Sequence, residues 1–210
     1  MGPRERRERE REEIRTLILD AARELFVSEG VESVTMRRIA DKIEYSPTAI
    51  YFHFKDKEAL LAELCDCDFR AFAQRFNVIA QIADPVERLR AAGAAYVDFG
   101  LENPSHYRLM FMTPKAITAK TTEVSTIDKG NPEEDAYAFL QGIVAELMAK
   151  GRFRDELTDV ELAVQVIWSA VHGVVSLEIA KCTDDWVAWR PFAARAQTTI
   201  EMILRGLLKE

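Results

Sequence analysis

The chain is poor in the residues that carry most catalytic and metal chemistry. It contains three histidines and three cysteines in 210 residues, and it has no H-E-x-x-H motif, no G-x-S-x-G motif and no glycine-rich phosphate loop. His53, His106 and His172 are spread over three different predicted helices. Cys65 and Cys67 point to different sides of one predicted helix, which suits neither a metal pair nor a disulfide. We therefore expect no catalysis, no cofactor and no metal site, and we expect the thiols to be buried or inert.

Long apolar runs are also missing. No stretch reaches the roughly 18 uninterrupted apolar residues that a membrane span needs, and no apolar segment of a secretory signal follows the charged N-terminus. These absences predict a cytoplasmic protein without a membrane partner. Hydrophobic residues still make up 48% of the chain, which is enough for one small and one larger domain.

The overall charge is acidic, but its distribution is uneven. The formal net charge is -7 and the isoelectric point is about 5.2. Residues 33–57 nevertheless carry five basic and three acidic side chains, whereas residues 61–210 carry 16 basic and 22 acidic ones. A mildly basic segment on an acidic body predicts weak nonspecific affinity for nucleic acid.

Residues 35–54 read as two short helices joined by a tight turn. Thr35 is a good N-cap for the first helix, and Ser46 followed by Pro47 is a good start for the second. Ile50 and Phe54 lie four apart and can pack on the first helix, so the second helix presents small and polar groups outward. This is the spacing of a DNA-binding helix-turn-helix. The outward residues are Thr48, Ala49, Tyr51 and His53.

The flanking segments support this interpretation. An apolar pattern with helical spacing precedes Gly30, which is suited to end a helix, and Asp56 can cap the helix that follows the motif. Lys57 in the first turn of that helix opposes the helix dipole, which makes it poorly placed for stability and well placed for a phosphate. Residues 1–13 alternate arginine with glutamate; their cancelling charges favour a solvated helix extension or a disordered arm over a dedicated DNA-binding arm.

About 50 contiguous residues resemble the DNA-binding domain of the tetracycline-repressor (TetR/AcrR) family. The resemblance lies in residues 21–26, Gly30, residues 35–40 and residues 46–61, and it departs from many members at Tyr45-Ser46-Pro47. It implies a transcriptional regulator that binds double-stranded DNA as a homodimer and responds to a small-molecule effector. It also implies phosphate contacts by Thr35, Tyr51, His53 and Lys57, and positions nearest the bases for Arg38, Ser46, Thr48 and Ala49.

Beyond residue 60 the chain reads as helices with clear start signals. We predict helices near 56–80, 85–102, 104–112, 132–150, 159–182 and 187–208, partly because Asp-Pro or Asn-Pro pairs precede three of them. Glu134 would be an acidic residue in a first turn, and Thr158 with Glu161 would form a capping box. Residues 113–130 lack periodicity and read as a mobile loop or a pocket cover. The sequence therefore predicts an all-α fold of about nine helices, with a helix-turn-helix domain over residues 1–60 and a ligand-binding and dimerisation domain over residues 61–210.

Two clusters in the second domain are candidate effector contacts. The first is rich in aromatic residues and methionine, and it fits either an ordinary core or a pocket for an apolar molecule. The family resemblance favours the pocket. This cluster comprises His106, Tyr107, Met110, Phe111, Tyr137 and Leu140.

The second cluster places Trp168 and His172 on one helix face. Its segment resembles the Trp-x-x-x-His-Gly signature of one C-terminal subgroup of the family. Three roles for this histidine remain open: a hydrogen-bonded structural residue, an effector contact and a dimer contact.

The last two predicted helices are apolar on more than one face. Such helices need a partner, and two from each chain would make a four-helix dimer seam. A symmetric dimer would present its recognition helices to major grooves about 34–36 Å apart on a palindromic operator. The sequence thus favours a repressor that an apolar effector releases from DNA, with an activator of the same fold or a protein-binding helical scaffold as alternatives.

Overall fold

The computed structural model describes residues 2–113 and 126–209 and confirms the all-α class. Within these ranges the regular structure is helical, apart from one isolated antiparallel bridge between Phe153 and Leu208. The helices are α1 (Pro3–Glu29), α2 (Met36–Lys42), α3 (Pro47–His53), α4 (Lys57–Gln74), α5 (Phe76–Ile79), α6 (Pro85–Glu102), α7 (Pro104–Tyr107), α8 (Ala136–Ala149), α9 (Val160–Lys181) and α10 (Phe192–Leu207). A π-helical segment, Arg108–Met112, continues α7.

The chain forms two compact units. The first comprises Met1–Asp68 with Ser105–Thr126, and the second comprises Phe69–Pro104 with Ile127–Glu210. In the first unit α1, α2, α3 and the start of α4 surround one apolar core, to which Leu109 of the π-helical segment also belongs. Its most deeply buried side chains include Ile18, Ala22, Ile39, Ile50, Leu60 and Leu64.

The second unit is a bundle in which α6, α8, α9 and α10 pack on one another. Aromatic side chains fill part of its core: the ring centroids of Phe72 and Phe99 are 4.7 Å apart, and those of Phe76 and Phe139 are 5.2 Å apart. Ion pairs from α6 to α8 and α10 join these helices at the bundle surface. They are Arg88 with Glu146 and Arg90 with Glu201, each at 2.7 Å.

Several predicted helix ends are confirmed. The side chains of Thr35, Ser46 and Asp84 each accept a hydrogen bond from a backbone N–H of the following turn. Gly30 follows the last residue of α1 with φ of 82°, a conformation that L side chains rarely adopt. The arginine and glutamate segment continues α1 as an exposed helical extension.

Other predicted ends were wrong, and in three cases a neighbouring residue caps or immediately precedes the observed helix start. The helix predicted from residue 132 begins at Ala136, since Asp135 is its cap, and Glu134 instead accepts from the N–H of Asp128. The capping box of Thr158 and Glu161 is replaced by Asp159, which accepts from the N–H of Leu162. The last helix starts at Phe192 rather than near residue 187, since Pro191 favours an extended residue before it. The helix predicted over 56–80 ends at Gln74, and Phe76–Ile79 forms a separate turn.

One described helix, α9, is long and apolar enough to cross a membrane by length and composition, with a mean hydropathy of 1.6 over 18 residues. A core or interface helix passes the same test. Only 28% of this apolar window is buried within the single chain. The large apolar side chains of α9 that stay exposed in the single chain are Leu162, Val166, Trp168 and Leu177.

Candidate functional site

Helix α3 is held so that one side is anchored and the other is exposed. Ile50 is completely buried and Phe54 nearly so, and both belong to the core of the first unit. On the opposite side Thr48 is exposed, and Tyr51 has 54% of its surface exposed. Ala49 is half-buried. The structure therefore presents a hydroxyl and a phenol on a helix narrow enough for a major groove.

The turn between α2 and α3 depends on one unusual backbone conformation. Glu44 has φ of 60°, in the left-handed region that favours glycine. The N–H of Tyr45 donates to the carbonyl oxygen of Ala40 at 3.0 Å and closes the turn. A non-glycine residue in this region costs roughly 1 kcal/mol, so the surrounding contacts must hold the turn in place.

His53 is less outward than the sequence predicted. Its ring is half-buried, and its Nδ1 atom is buried without a hydrogen-bond partner among the described residues. Burial lowers the pKa of His53, and the nearby cationic groups of Arg11 and Arg15 lower it further. At neutral pH the imidazole is therefore uncharged, so it can offer a phosphate a single N–H but not a positive charge.

Lys57 has a structural role that the sequence analysis missed. Its ammonium group donates to the carbonyl oxygens of Val31 at 2.9 Å and Val34 at 3.0 Å, and it lies 3.4 Å from that of Glu32. The inference that this lysine is poorly placed for stability was therefore wrong, because it satisfies backbone acceptors of the segment between α1 and α2. Contact with a phosphate remains a prediction.

The other predicted DNA contacts lie around α2 and α3. Thr35 and Ser46 are exposed, and both are N-caps. Arg38 is exposed and pairs with Glu29 at 2.8 Å. Glu29 engages the Nε atom and one Nη atom of Arg38, so a paired contact to a base from that same edge of the guanidinium would require Arg38 to release Glu29.

The structure adds Phe52 to the candidate surface. Phe52 is 71% exposed, although an aromatic ring of this size is usually buried. The guanidinium carbon of Arg11 lies 5.5 Å from its ring centroid, and Arg15 donates to the carbonyl oxygen of His53 at 3.1 Å. The sequence did indicate this exposure, because Phe52 lies on a different side of α3 from the buried residues Ile50 and Phe54.

Among the effector candidates, Trp168 and His172 are brought together by a residue that the sequence analysis did not select. The Trp168 Nε1 atom donates to the Tyr96 hydroxyl oxygen at 3.0 Å, and that hydroxyl lies 3.1 Å from His172 Nδ1. The ring centroids of Tyr137 and Trp168 are 6.2 Å apart. Burial lowers the pKa of His172. Leu140 is half-buried on α8, three residues after Tyr137.

The remaining effector candidates belong to the first unit. His106 Nδ1 lies 3.0 Å from a carboxylate oxygen of Asp68, which also binds Arg23 at 2.7 Å. Tyr107 is fully buried, and its ring centroid is 5.0 Å from that of Phe111. Met110 is half-buried. Most of the predicted loop or pocket cover, residues 114–125, lies outside the described residues.

Comparison with known proteins agrees with this geometry. A family model described as bacterial regulatory proteins of the tetR family matches residues 18–64, and one described as the tetracyclin repressor-like C-terminal domain matches residues 89–203. These matches do not confirm the Trp-x-x-x-His-Gly subgroup.

Individual relatives cover most of the chain. The uncharacterized HTH-type transcriptional regulator YobS of Bacillus subtilis is 28% identical over 79% of this chain and 78% of its own length. The HTH-type transcriptional activator FasR of Mycolicibacterium smegmatis is 28% identical over 78% of this chain and 85% of its own. The solved structure of the ketosteroid transcriptional regulator KstR2 of Mycobacterium tuberculosis shares the fold, with a TM-score of 0.71 and 22% identity over 93% of this chain and 95% of that chain. The chain thus belongs to the TetR family of transcriptional regulators and carries that family's DNA-binding helix-turn-helix.

Proposed function

We propose that this protein is a cytoplasmic repressor that binds a palindromic operator as a homodimer and is released by a small, mainly apolar molecule. The observation that carries the proposal is the exposed face of α3, where Thr48 and Tyr51 project from a helix fixed by Ile50 and Phe54. In this proposal residues 1–60 bind DNA, and residues 61–210 bind the effector and form the dimer.

The dimer is supported by apolar surface on α9 and α10. Leu162, Val166 and Leu177 on α9 and Met202 on α10 are exposed in the single chain. A second copy that covered these side chains would remove apolar surface from water, which stabilises the dimer by roughly 25 cal/mol for each Å² buried. A twofold seam of these helices would set the spacing of the two α3 helices on DNA.

Effector binding is supported by the aromatic group around Trp168. Tyr137, Trp168, His172 and Tyr96 combine apolar rings with hydrogen-bonding groups, which is the composition of many small-molecule sites. An effector would act by favouring a dimer in which the α3 helices no longer match successive grooves. An effector that binds this state about 10⁴ times more tightly than the DNA-binding state would move the protein almost completely from one state to the other.

The direction of regulation has two candidates, because one relative is named an activator. A relative named as a repressor, Rv1474c of Mycobacterium tuberculosis, is 38% identical over 33% of this chain. A reporter placed behind the neighbouring promoter would separate the two. Deletion of the gene raises expression for a repressor and lowers it for an activator.

DNA recognition is tested with a duplex that the wild-type protein selects from a randomised library. We expect Thr48→Ala to relax preference at one base pair, and Tyr51→Phe to weaken binding to all sequences by a similar factor. The helical content of both variants by circular dichroism is the control for folding. If the wild-type protein selects no duplex at low salt, the alternative of a protein-binding helical scaffold replaces the proposal.

The dimer and the effector are tested separately. Light scattering of the wild type is expected to give about twice the chain mass of 23.9 kDa, and the double variant Leu177→Glu/Met202→Glu is expected to give one chain. Val78→Glu is the matched control, since Val78 is an exposed apolar residue outside α9 and α10.

The effector is tested by a thermal-shift screen of apolar compounds, which should find stabilisers. A ligand at 100 times its Kd raises the free energy of unfolding by about 2.7 kcal/mol. A monomeric wild type or a flat screen contradicts the corresponding part of the proposal.

A further inference from the structure

The exposed start of α1 has an uneven distribution of charge around its axis. Residues 3–13 contain five arginines and five glutamates. Three arginines pair with a glutamate four residues later: Arg4 with Glu8, Arg6 with Glu10 and Arg9 with Glu13, at 3.0–3.4 Å. Arg7 and Arg11 have no carboxylate partner within residues 2–113 and 126–209. We call these two residues the arginine edge.

The arginine edge lies on the side of α1 that packs on the helix-turn-helix. Arg7 and Arg11 are one turn apart, and continuing from Arg11 in steps of seven residues reaches Ile18 and Leu25, which are buried in the core of the first unit. Direct contacts agree with this register. The Arg11 guanidinium carbon is 5.5 Å from the ring centroid of Phe52 on α3, and Arg15, one turn further, donates to the carbonyl oxygen of His53.

We propose that the arginine edge binds backbone phosphates of DNA beside the half-site that α3 contacts. The inference rests on the proposed operator binding and extends its interface. Arg7 and Arg11 are separated by about 6 Å of rise along the helix axis, and each guanidinium group can form paired hydrogen bonds to a phosphate. The edge is continuous with the exposed end of α3, so DNA held by α3 passes near it.

The charge count that favoured a merely solvated extension does not apply to this edge. The glutamates that cancel the arginines in number are engaged with Arg4, Arg6 and Arg9 or lie off the face of Arg7 and Arg11. The chain has a net charge of -7, so two local cations increase its affinity for DNA only where the bound geometry brings them to a phosphate. The edge would therefore add affinity at a bound operator without making the whole protein adhesive to DNA.

The test uses the full chain and the slope of log Kd against log salt concentration. The probe is a fluorescent duplex of about 40 bp that the wild-type protein selects from a randomised library. Each phosphate contact adds about 0.9 to the slope, so Arg7→Gln/Arg11→Gln should reduce it by up to about 3.6 for a dimer with both heads bound. Arg6→Gln/Arg9→Gln removes the same charge from the opposite side of the helix and should leave the slope near that of the wild type. Arg7→Lys/Arg11→Lys should restore most of it.

The outcomes separate this inference from the proposed function. If the wild type binds and both glutamine variants change the slope equally, only general charge matters, and the arginine edge is not a contact surface. An unchanged slope in Arg7→Gln/Arg11→Gln also overturns the inference, while operator binding stands. If the wild type selects no duplex, both the proposed function and this inference fail. Circular dichroism checks that each variant keeps the helix, which glutamine and lysine both favour.

Discussion

The ammonium nitrogen of Lys57 lies 2.9 Å from the carbonyl oxygen of Val31 and donates to it. This contact joins the first turn of α4 to the loop between α1 and α2. It therefore helps to hold the helix-turn-helix, α2 and α3, in place between α1 and α4. A second bond to the carbonyl oxygen of Val34, at 3.0 Å, strengthens the link. Lys57 is therefore part of the support of the DNA-binding unit, whether or not it also contacts a phosphate.

We expect Lys57→Met to lower the free energy of unfolding by about 1–3 kcal/mol, since it leaves partly buried carbonyl oxygens without a donor. Lys55→Met is the control, because Lys55 is exposed two residues earlier. Urea unfolding followed by circular dichroism measures both. Equal stability of the two variants would mean that water replaces the ammonium group at no cost.

The local start signals of the helix-turn-helix could be predicted because they depend on neighbouring residues alone. Ser46 before Pro47 is sufficient to start α3, and the structure places the cap there. The lysine contact could not be predicted, because Lys57 and Val31 are 26 residues apart and meet only once the core has formed. Phe52 was missed for a different reason: its exposure breaks the usual preference of phenylalanine for the interior.

A second prediction concerns the shared hydroxyl of Tyr96. Tyr96→Phe keeps the ring but removes the group to which Trp168 donates and which bonds His172. We expect the free energy of unfolding to fall by about 1–3 kcal/mol, since two part-buried side chains each lose one hydrogen bond. Trp168 is near the change, so the emission maximum of its fluorescence should also shift.

Tyr137→Phe is the matched control for Tyr96→Phe. The Tyr137 hydroxyl donates to Glu161 at 2.7 Å, but this bond is exposed. Its removal should change the free energy of unfolding by no more than about 0.5 kcal/mol. If thermal unfolding shows equal losses in the two variants, the hydroxyl of Tyr96 has no special role.

A third prediction follows from the pKa of His172, which burial lowers from its ordinary value of 6.5. The unfolded chain then binds a proton more readily than the native chain. The stability that depends on the neutral imidazole is present above about pH 6.5 and is lost as the pH falls through the native pKa. Melting temperatures should therefore fall between about pH 7.5 and about pH 5.5, a range in which histidine is the main titrating side chain.

The variant His172→Gln should reduce this fall in melting temperature. His53→Gln should reduce it as well, since the pKa of His53 is also lowered by burial. The double variant should have the weakest pH dependence of the three. A wild-type fall that persists unchanged in the double variant would assign the effect to other groups.

The register of the later helices shows why local rules fail when two caps compete. Asn131 before Pro132 and Asp135 are both good starts, and the chain uses Asp135, whose carboxylate accepts from the N–H of Tyr137 and of Ala138. Asn131 instead turns the chain before α8, accepting from the N–H of Glu133. Sequence rules rank both residues as caps, but only the packed bundle selects between them.

The last prediction concerns Asp68, whose side chain is 2% exposed and binds both Arg23 and His106. Asp68→Asn would leave the guanidinium group of Arg23 in a buried site without its carboxylate. Removing one partner of a buried ion pair costs about 3–5 kcal/mol, because the other charge stays away from water. Asp20→Asn is the matched control, since Asp20 pairs with the same Arg23 at 2.8 Å but is 59% exposed, and it should cost less than about 1 kcal/mol. The asparagine at position 68 also weakens the contact that ties His106 to α4, so limited proteolysis should cut near residue 106 faster in Asp68→Asn than in Asp20→Asn. Equal unfolding free energies for the two variants would show that Arg23 reaches water without Asp68.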